Sequence, residues 1–261
     1  TEIYTLSLHD ALPISYSEFN VDQQGVILNN GRTDSSTQLG GWVQANPWLA
    51  TGSARVILNE VNASDPSRLN GFVEVAGSSA QVVIANPAGI SCSGCGFINA
   101  SRATLSTGTP IVNNGQLQGY EVAQGQISID GAGLDNSTGY TDLIAHAVEV
   151  NAGIWSQQLA VAGGGGTVNA DVSAVSSNGS SAPAVAIDVA HLGGMYAGSI
   201  RLIGTEAGVG VRNAGQIGIG AGNVTLSADG RIENSGVING GNTRLNADAL
   251  DNSSGRIYGD H

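Results

Sequence analysis

"GNVTLSADGRIENSGVING", residues 222–240, and "GNTRLNADALDNSSGRIYG", residues 241–259, follow one another at an offset of 19. Leu226 falls over Leu245, Ala228 over Ala247 and Asp229 over Asp248. A weaker copy, "RLIGTEAGVGVRNAGQIG" (residues 201–218), places Gly215 where Gly236 and Gly255 stand in the later ones, at spacings of 21 and 19. Within each copy, runs such as Val224-Thr225-Leu226 and Val237-Ile238 are separated by Gly, Asn, Asp and Ser, the residues of turns. No segment of ten residues has helical periodicity. Short strands recurring about every twenty residues cannot bury a face alone and must stack on their neighbours. The expected fold is all-β, a parallel β-helix.

The same grammar runs upstream in "QQGVILNNG" (23–31), "SARVILNEV" (53–61), "AQVVIANPAG" (80–89), "GQISIDGAG" (125–133) and "AVEVNAGIW" (147–155), each an apolar or alternating run closed by turn formers. Residues 16–261 therefore read as one elongated domain of about a dozen coils, about 55–60 Å long at the spacing of stacked strands. Gly163 to Pro183, "GGGGTVNADVSAVSSNGSSAP", is small, polar and Gly-rich, and reads as a surface excursion from the rod.

Composition narrows the function. The 261 residues are 41% hydrophobic but only 5% aromatic, with 39 glycines, so the core is built from Val, Ile, Leu and Ala. The net charge is −12 and the nine basic residues are all Arg, which disfavours a phosphate backbone as partner. No apolar run reaches 18 residues, so no segment reads as a membrane-spanning helix. The first fifteen residues, "TEIYTLSLHDALPIS", match neither the rest of the chain nor a signal peptide, and residues 1–15 read as a non-native segment outside the fold.

Two cysteines, Cys92 and Cys95, sit in "ISCSGCGF". Two thiolates cannot form a four-Cys zinc site, and none of His9, His146, His191 and His261 pairs with another at metal-ligand spacing, so no metal site is expected. A redox centre needs a helix N-terminus at the first Cys, whereas these lie among strands and glycines. A local disulfide closed by a turn at Ser93-Gly94 is preferred, with a reduced pair as the alternative. "ANPWL" (45–49) and "ANPAGI" (85–90) each place Asn-Pro after an apolar strand, where Pro presets a turn and the Asn side chain bonds backbone two residues on. No catalytic motif is present, and no cofactor is implied. Asp130 and Asp135 could serve a polysaccharide lyase, but carboxylates beside Gly and Asn are more often turn caps.

The segments "NPWL" (46–49), "NPAGISCSGCGFINASRATLSTGTP" (86–110) and "GGMYAGSIRLIGTEAGVGVRNAG" (193–215) together resemble the two-partner secretion domain of large exoproteins, the filamentous hemagglutinins and contact-dependent growth inhibition toxins. The resemblance covers residues 16–215, with hemagglutinin-type repeats over 216–261. The family's motifs, Asn-Pro-Asn-Leu and Asn-Pro-Asn-Gly-Ile, are matched at Asn46, Pro47, Leu49, Asn86, Pro87, Gly89 and Ile90, with Trp48 and Ala88 at the divergent third positions. It implies a right-handed β-helix with small extra-helical β elements and a cap before Tyr16. The implied role is secretion recognition: the periplasmic POTRA domains of a partner outer-membrane β-barrel transporter bind the unfolded chain, which folds outside a Gram-negative cell. An adhesin module binding a host glycan or receptor, and less readily a lyase, are the alternatives.

Overall fold

The computed structural model describes residues 2–5, 14–179 and 181–259, and among them every regular element is a β-strand. Twenty-two strands form one curled sheet, and its strands pair in parallel. The chain winds as a right-handed parallel β-helix with three faces.

The first face carries Val56–Val61, Ala80–Ala85, Ala100–Ser106, residues 140–145, 158–163 and 199–204, Asn223–Ala228 and Asn242–Asn246. Ser67–Leu69, residues 90–92, 126–129, Ala147–Val150, Val185–Val189, Val209–Asn213, Arg231–Asn234 and Ala249–Asp251 make the second. The third runs from Val26–Asn30 through Phe72–Gly77, residues 96–98, 134–136, 153–156 and 194–197, Gln216–Ile217 and Val237–Gly240 to Arg256–Gly259.

Register explains why the composition suffices. On the first face Ile84, Leu105, Leu143, Val161, Leu202, Leu226 and Leu245 stand directly over one another. Ile127, Val148, Ile187, Val211, Ile232 and Leu250 make the matching column on the second face, and Leu134, Ile154, Met195, Ile217, Ile238 and Ile257 on the third. Each side chain fills the space between those above and below, so aliphatic residues close the interior without large rings. The repeat alignment is physical: Leu226 pairs with Leu245, and a Cβ on Gly236 would lie 2.2 Å from the Gly215 carbonyl oxygen.

The corner between the second and third faces is held by an amide ladder. Asn213 Nδ2 donates to Asn234 Oδ1 (2.8 Å), and Asn234 Nδ2 donates to Asn252 Oδ1 (2.7 Å). Asn213 and Asn234 are buried. These are the asparagines of "RNAG", "ENSG" and "DNSSG", whose recurrence the repeats display.

Two results differ from the sequence expectations. From Val56 onward eight strands stack on the first face, fewer than the dozen coils expected, because chain is diverted into extra-helical elements. The hairpin Ser35–Thr37 with Gly41–Val43 is one such element, and a four-stranded flanking sheet of Thr109–Asn113, Gln116–Val122, Gly166–Asn169 and Val175–Ser177 is the other. The Gly-rich stretch expected to leave the rod supplies the last two of those four strands. The opening segment, expected outside the fold, pairs at the end of the solenoid: Glu2–Thr5 beside Val26–Asn30, and Ile14–Tyr16 beside Val56–Val61. An open strand edge presents backbone donors and acceptors that any extended segment can satisfy, whatever its side chains. Residues 6–13 of that segment lie outside the described residues.

Asn234→Ala is expected to lower unfolding free energy by about 1–3 kcal/mol, because it takes one partner from the buried Asn213 amide and one from the half-buried Asn252. Asn242→Ala, which removes only the exposed bond to Asn223 at 3.2 Å, should stay within about 0.5 kcal/mol in the same urea titration. Deleting residues 1–15 uncovers the edges of Val26–Asn30 and Val56–Val61, and concentration-dependent self-association should follow in light scattering.

Candidate functional site

The residues singled out in the sequence lie in the early coils. Asn46 closes the extra-helical hairpin and returns the chain to the rod: its backbone N–H donates to the Gly31 carbonyl (2.7 Å) and its Nδ2 to the Asn29 carbonyl (3.0 Å). Its Oδ1 accepts from the Trp48 N–H (3.0 Å), and the Leu49 N–H bonds back to its carbonyl (3.3 Å). Asn46 and Leu49 are buried, while Pro47 and Trp48 face solvent.

Asn86 repeats this arrangement one coil further on, at the corner from the first face to the second. Its Oδ1 accepts from the Ala88 N–H (3.0 Å), and its carbonyl from the Gly89 N–H (3.0 Å). Its Nδ2 donates to the Asp65 carbonyl and to Ser67 Oγ, both at 3.0 Å. That amide is fully buried, so it ties its own coil to the one before. Pro87 is half-buried, and Gly89 and Ile90 are buried, with Ile90 in the aliphatic column of the second face. The two motifs are thus the same device at separate corners, and the divergent positions Trp48 and Ala88 contribute a backbone N–H that any residue would supply.

Cys92 and Cys95 are joined as a disulfide, with Cα atoms 5.3 Å apart. Gly94 takes φ 75° between them, and the register slips there as the strand Ile90–Ile98 turns from the second face to the third. Both sulfurs lie in the main core, so the bond staples the corner that follows the Asn86 turn. Asp135 caps a turn by accepting from the Ser137 N–H (3.0 Å), whereas Asp130 accepts from Asn151 Nδ2 of the next coil (2.9 Å) and so ties two coils together. No group of three metal-ligating side chains occurs among the described residues, which include His146 and His191 but not His9 or His261.

A second concentration of chemistry lies under the flanking sheet and was missed in the sequence. Leu58, Val83, Thr104, Asp142, Ala160 and Arg201 form an outward-pointing column across the first face. Tyr120, Val122 and Val168 of the flanking sheet, with Val172 of the turn between its last two strands, cover this face, burying Leu58, Val83 and the neighbouring Ile144. Asp142 is buried there; Thr104 Oγ1 donates to its Oδ2 (2.9 Å), and Arg102 Nε stands 3.6 Å from the same oxygen. Burial raises the Asp142 carboxyl to about 6, against the lowering influence of Arg102 and the Thr104 bond. Burial, and then the Asp142 charge, push the Tyr120 phenol above its ordinary value, against the lowering influence of the neighbouring Thr104 hydroxyl and of Arg102. The hint in the sequence was "NNG" at 113–115, a hairpin signal, with Asn114 and Gly115 both at positive φ (50° and 72°).

Because its folded pKa is raised, Asp142 destabilises the fold progressively as pH rises from about 4 to about 6, and by a constant amount above that. Asp142→Asn removes this cost. The stability of the variant relative to the parent should therefore rise by about 1–3 kcal/mol between pH 4 and pH 7, read from paired urea titrations.

Comparison with known proteins agrees with this architecture. The sequence model of a family described as the TPS secretion domain matches residues 5–234. The "Toxin CdiA" of Yersinia pestis is 56% identical over 250 residues, 94% of this chain and 8% of that protein. A "16S rRNA endonuclease CdiA" of Enterobacter cloacae is 43% identical over 89% of this chain and 7% of its own length. The chain thus spans less than a tenth of these curated relatives. The crystal structure of a filamentous hemagglutinin secretion domain superposes with a TM-score of 0.78 at 34% identity, covering 94% of this chain and 84% of that one. On its matched residues, its relatives and its fold, the chain belongs to the TPS secretion domain family.

Proposed function

We propose that the secretion signal of this domain is read before it folds, by the periplasmic POTRA domains of its cognate outer-membrane transporter. As a TPS secretion domain the chain is a secretion-recognition module of a two-partner exoprotein, a class carried through the periplasm to the surface of Gram-negative bacteria. Residues 16–215 carry the recognition function in this reading, and residues 216–261 open the hemagglutinin-type repeats.

The observation that carries it is the state of Asn46 and Asn86. In the folded rod both side chains are buried and bonded, and Ile90 is in the core, so none is offered to a partner. In the extended chain the same stretches, "VQANPWL" and "VVIANPAGI", are apolar strands with free backbone edges, suited to adding to a POTRA sheet by β-augmentation. Folding then withdraws the signal. Each coil buries apolar surface against the last as it leaves the transporter, which biases transit outward without nucleotide hydrolysis.

The nuclease activities in some relatives' names lie in lengths of those proteins that this chain does not span, and the secretion module itself works by folding rather than by catalysis. The activity of the exoprotein attached to this domain, whether toxin or adhesin, belongs to its remaining length.

A peptide of residues 80–92 should bind the soluble periplasmic part of the cognate transporter, and Asn86→Ala in that peptide should weaken binding at least fivefold, measured by calorimetry. The same substitution in the whole exoprotein should reduce its appearance in the medium. Unchanged affinity together with unchanged export would overturn the reading.

A further inference from the structure

The flanking sheet does more than cover the first face: its hairpin tip overhangs a cleft of about 650 Å³ against the rod. That size lies within the range of small-ligand sites. The floor is built from consecutive coils, where Gln81 pairs with Arg102 and Arg102 with Tyr140. Arg55, just ahead of the strand Val56–Val61, stands on one side, and Asn114 and Gln116 of the hairpin form the opposite lip.

The charge here runs against the rest of the molecule. Two of only nine basic residues in a chain of net charge −12 line one cleft. Arg55 is exposed, and its guanidinium has no hydrogen bond or ion pair among the described residues. Arg102 lies over the Tyr140 ring, 5.7 Å from its centroid, and its one ion pair is the 3.6 Å approach to Asp142. Both guanidiniums therefore retain donors for a ligand. Their strands are two coil spacings apart, about 10 Å at the backbone, a gap that long side chains can close around one anionic group.

We propose that this cleft is a binding site for a carboxylate-bearing sugar residue, a uronic-acid type unit of a surface polysaccharide. Three features select that chemistry. The charges that act on one another here, Arg102 and Arg201 against Asp142 and Asp171, balance, and the unpaired Arg55 leaves one net positive charge, which suits a monoanionic carboxylate better than a phosphate dianion. The amides of Asn114 and Gln116 offer both donors and acceptors to hydroxyl groups, Gln81, whose Nε2 donates to Thr104 Oγ1 (3.1 Å), adds its oxygen, and the Tyr140 ring and Leu117 give the apolar wall on which a sugar's C–H face rests. The floor strands are already paired on both sides, so recognition falls to side chains; an acidic peptide would find no open backbone edge in the floor. Binding to the folded rod outside the cell is independent of the reading of the unfolded signal by the transporter.

The test is titration of the folded chain with D-glucuronate, D-glucose, glucose 6-phosphate, acetate and a poly-glutamate peptide, followed by ¹H–¹⁵N NMR. Glucuronate should shift the side-chain amide signals of Gln81, Asn114 and Gln116 saturably, with glucose and acetate at least tenfold weaker and glucose 6-phosphate weaker than glucuronate. Arg55→Gln, at an exposed residue whose side chain holds nothing else, should weaken glucuronate at least fivefold while leaving the remaining spectrum and the melting temperature in place. Arg102→Gln should weaken glucuronate at least as much, at a lower melting temperature because it strands the buried Asp142 carboxylate, and Arg102→Lys should recover binding only in part, which separates bidentate recognition from bulk charge. Equal binding of glucose, equal or tighter binding of glucose 6-phosphate or acetate, preference for the peptide, or an Arg55→Gln variant that binds as the parent does would each overturn the assignment.

Discussion

No coil of this molecule has an interior of its own. A winding of about twenty residues encloses too little apolar volume to be stable alone, so every aliphatic side chain must meet its equivalents in the windings on either side. That single requirement sets the register, and the register sets the rest. It places Leu226 on Leu245, brings glycines to the same corner in successive windings, and aligns Asn213, Asn234 and Asn252 closely enough for their amides to bond in series. It also explains why the chain uses so few aromatic residues: an interior of constant cross-section is filled by side chains of constant size.

The same requirement gives the secretion module its logic. A fold that grows by addition needs a first template, and the early coils are where the strongest local ties are found. The Asn46 and Asn86 turns, the Cys92–Cys95 bond and the flanking sheet all reinforce the windings before the regular repeats begin. The buried Asp142 stands out against this background. It carries a standing cost at neutral pH, yet it holds Arg102 beside Tyr140, so the least comfortable residue of the first face positions a guanidinium at the cleft floor.

How much of this could be read from the residues depends on whether a contact repeats. The repeats from Arg201 onward were legible because stacked positions must match, and the Asn-Pro turns because Pro and Asn act locally. The disulfide was legible because Ser93-Gly94 leaves a turn tight enough for it. The outward apolar patch of Leu58, Val83 and Ile144 was not, since an outward apolar residue in a strand looks like an inward one until something is known to lie over it. The sheet that covers it comes from two stretches some forty residues apart, Thr109–Val122 and Gly166–Ser177, and no local pattern joins them. The cleft inherits that difficulty: Arg55, Arg102 and Gln116 come together only once the sheet has docked.

The asparagine ladder has one more property. Asn213 and Asn234 both give their amide hydrogens to the oxygen of the next winding's asparagine, so the two bonds along that corner point the same way. The row is an arrow running down the rod. The winding that carries Asn252 thus brings an asparagine oxygen to the waiting amide hydrogens of Asn234, as the winding before it did to those of Asn213.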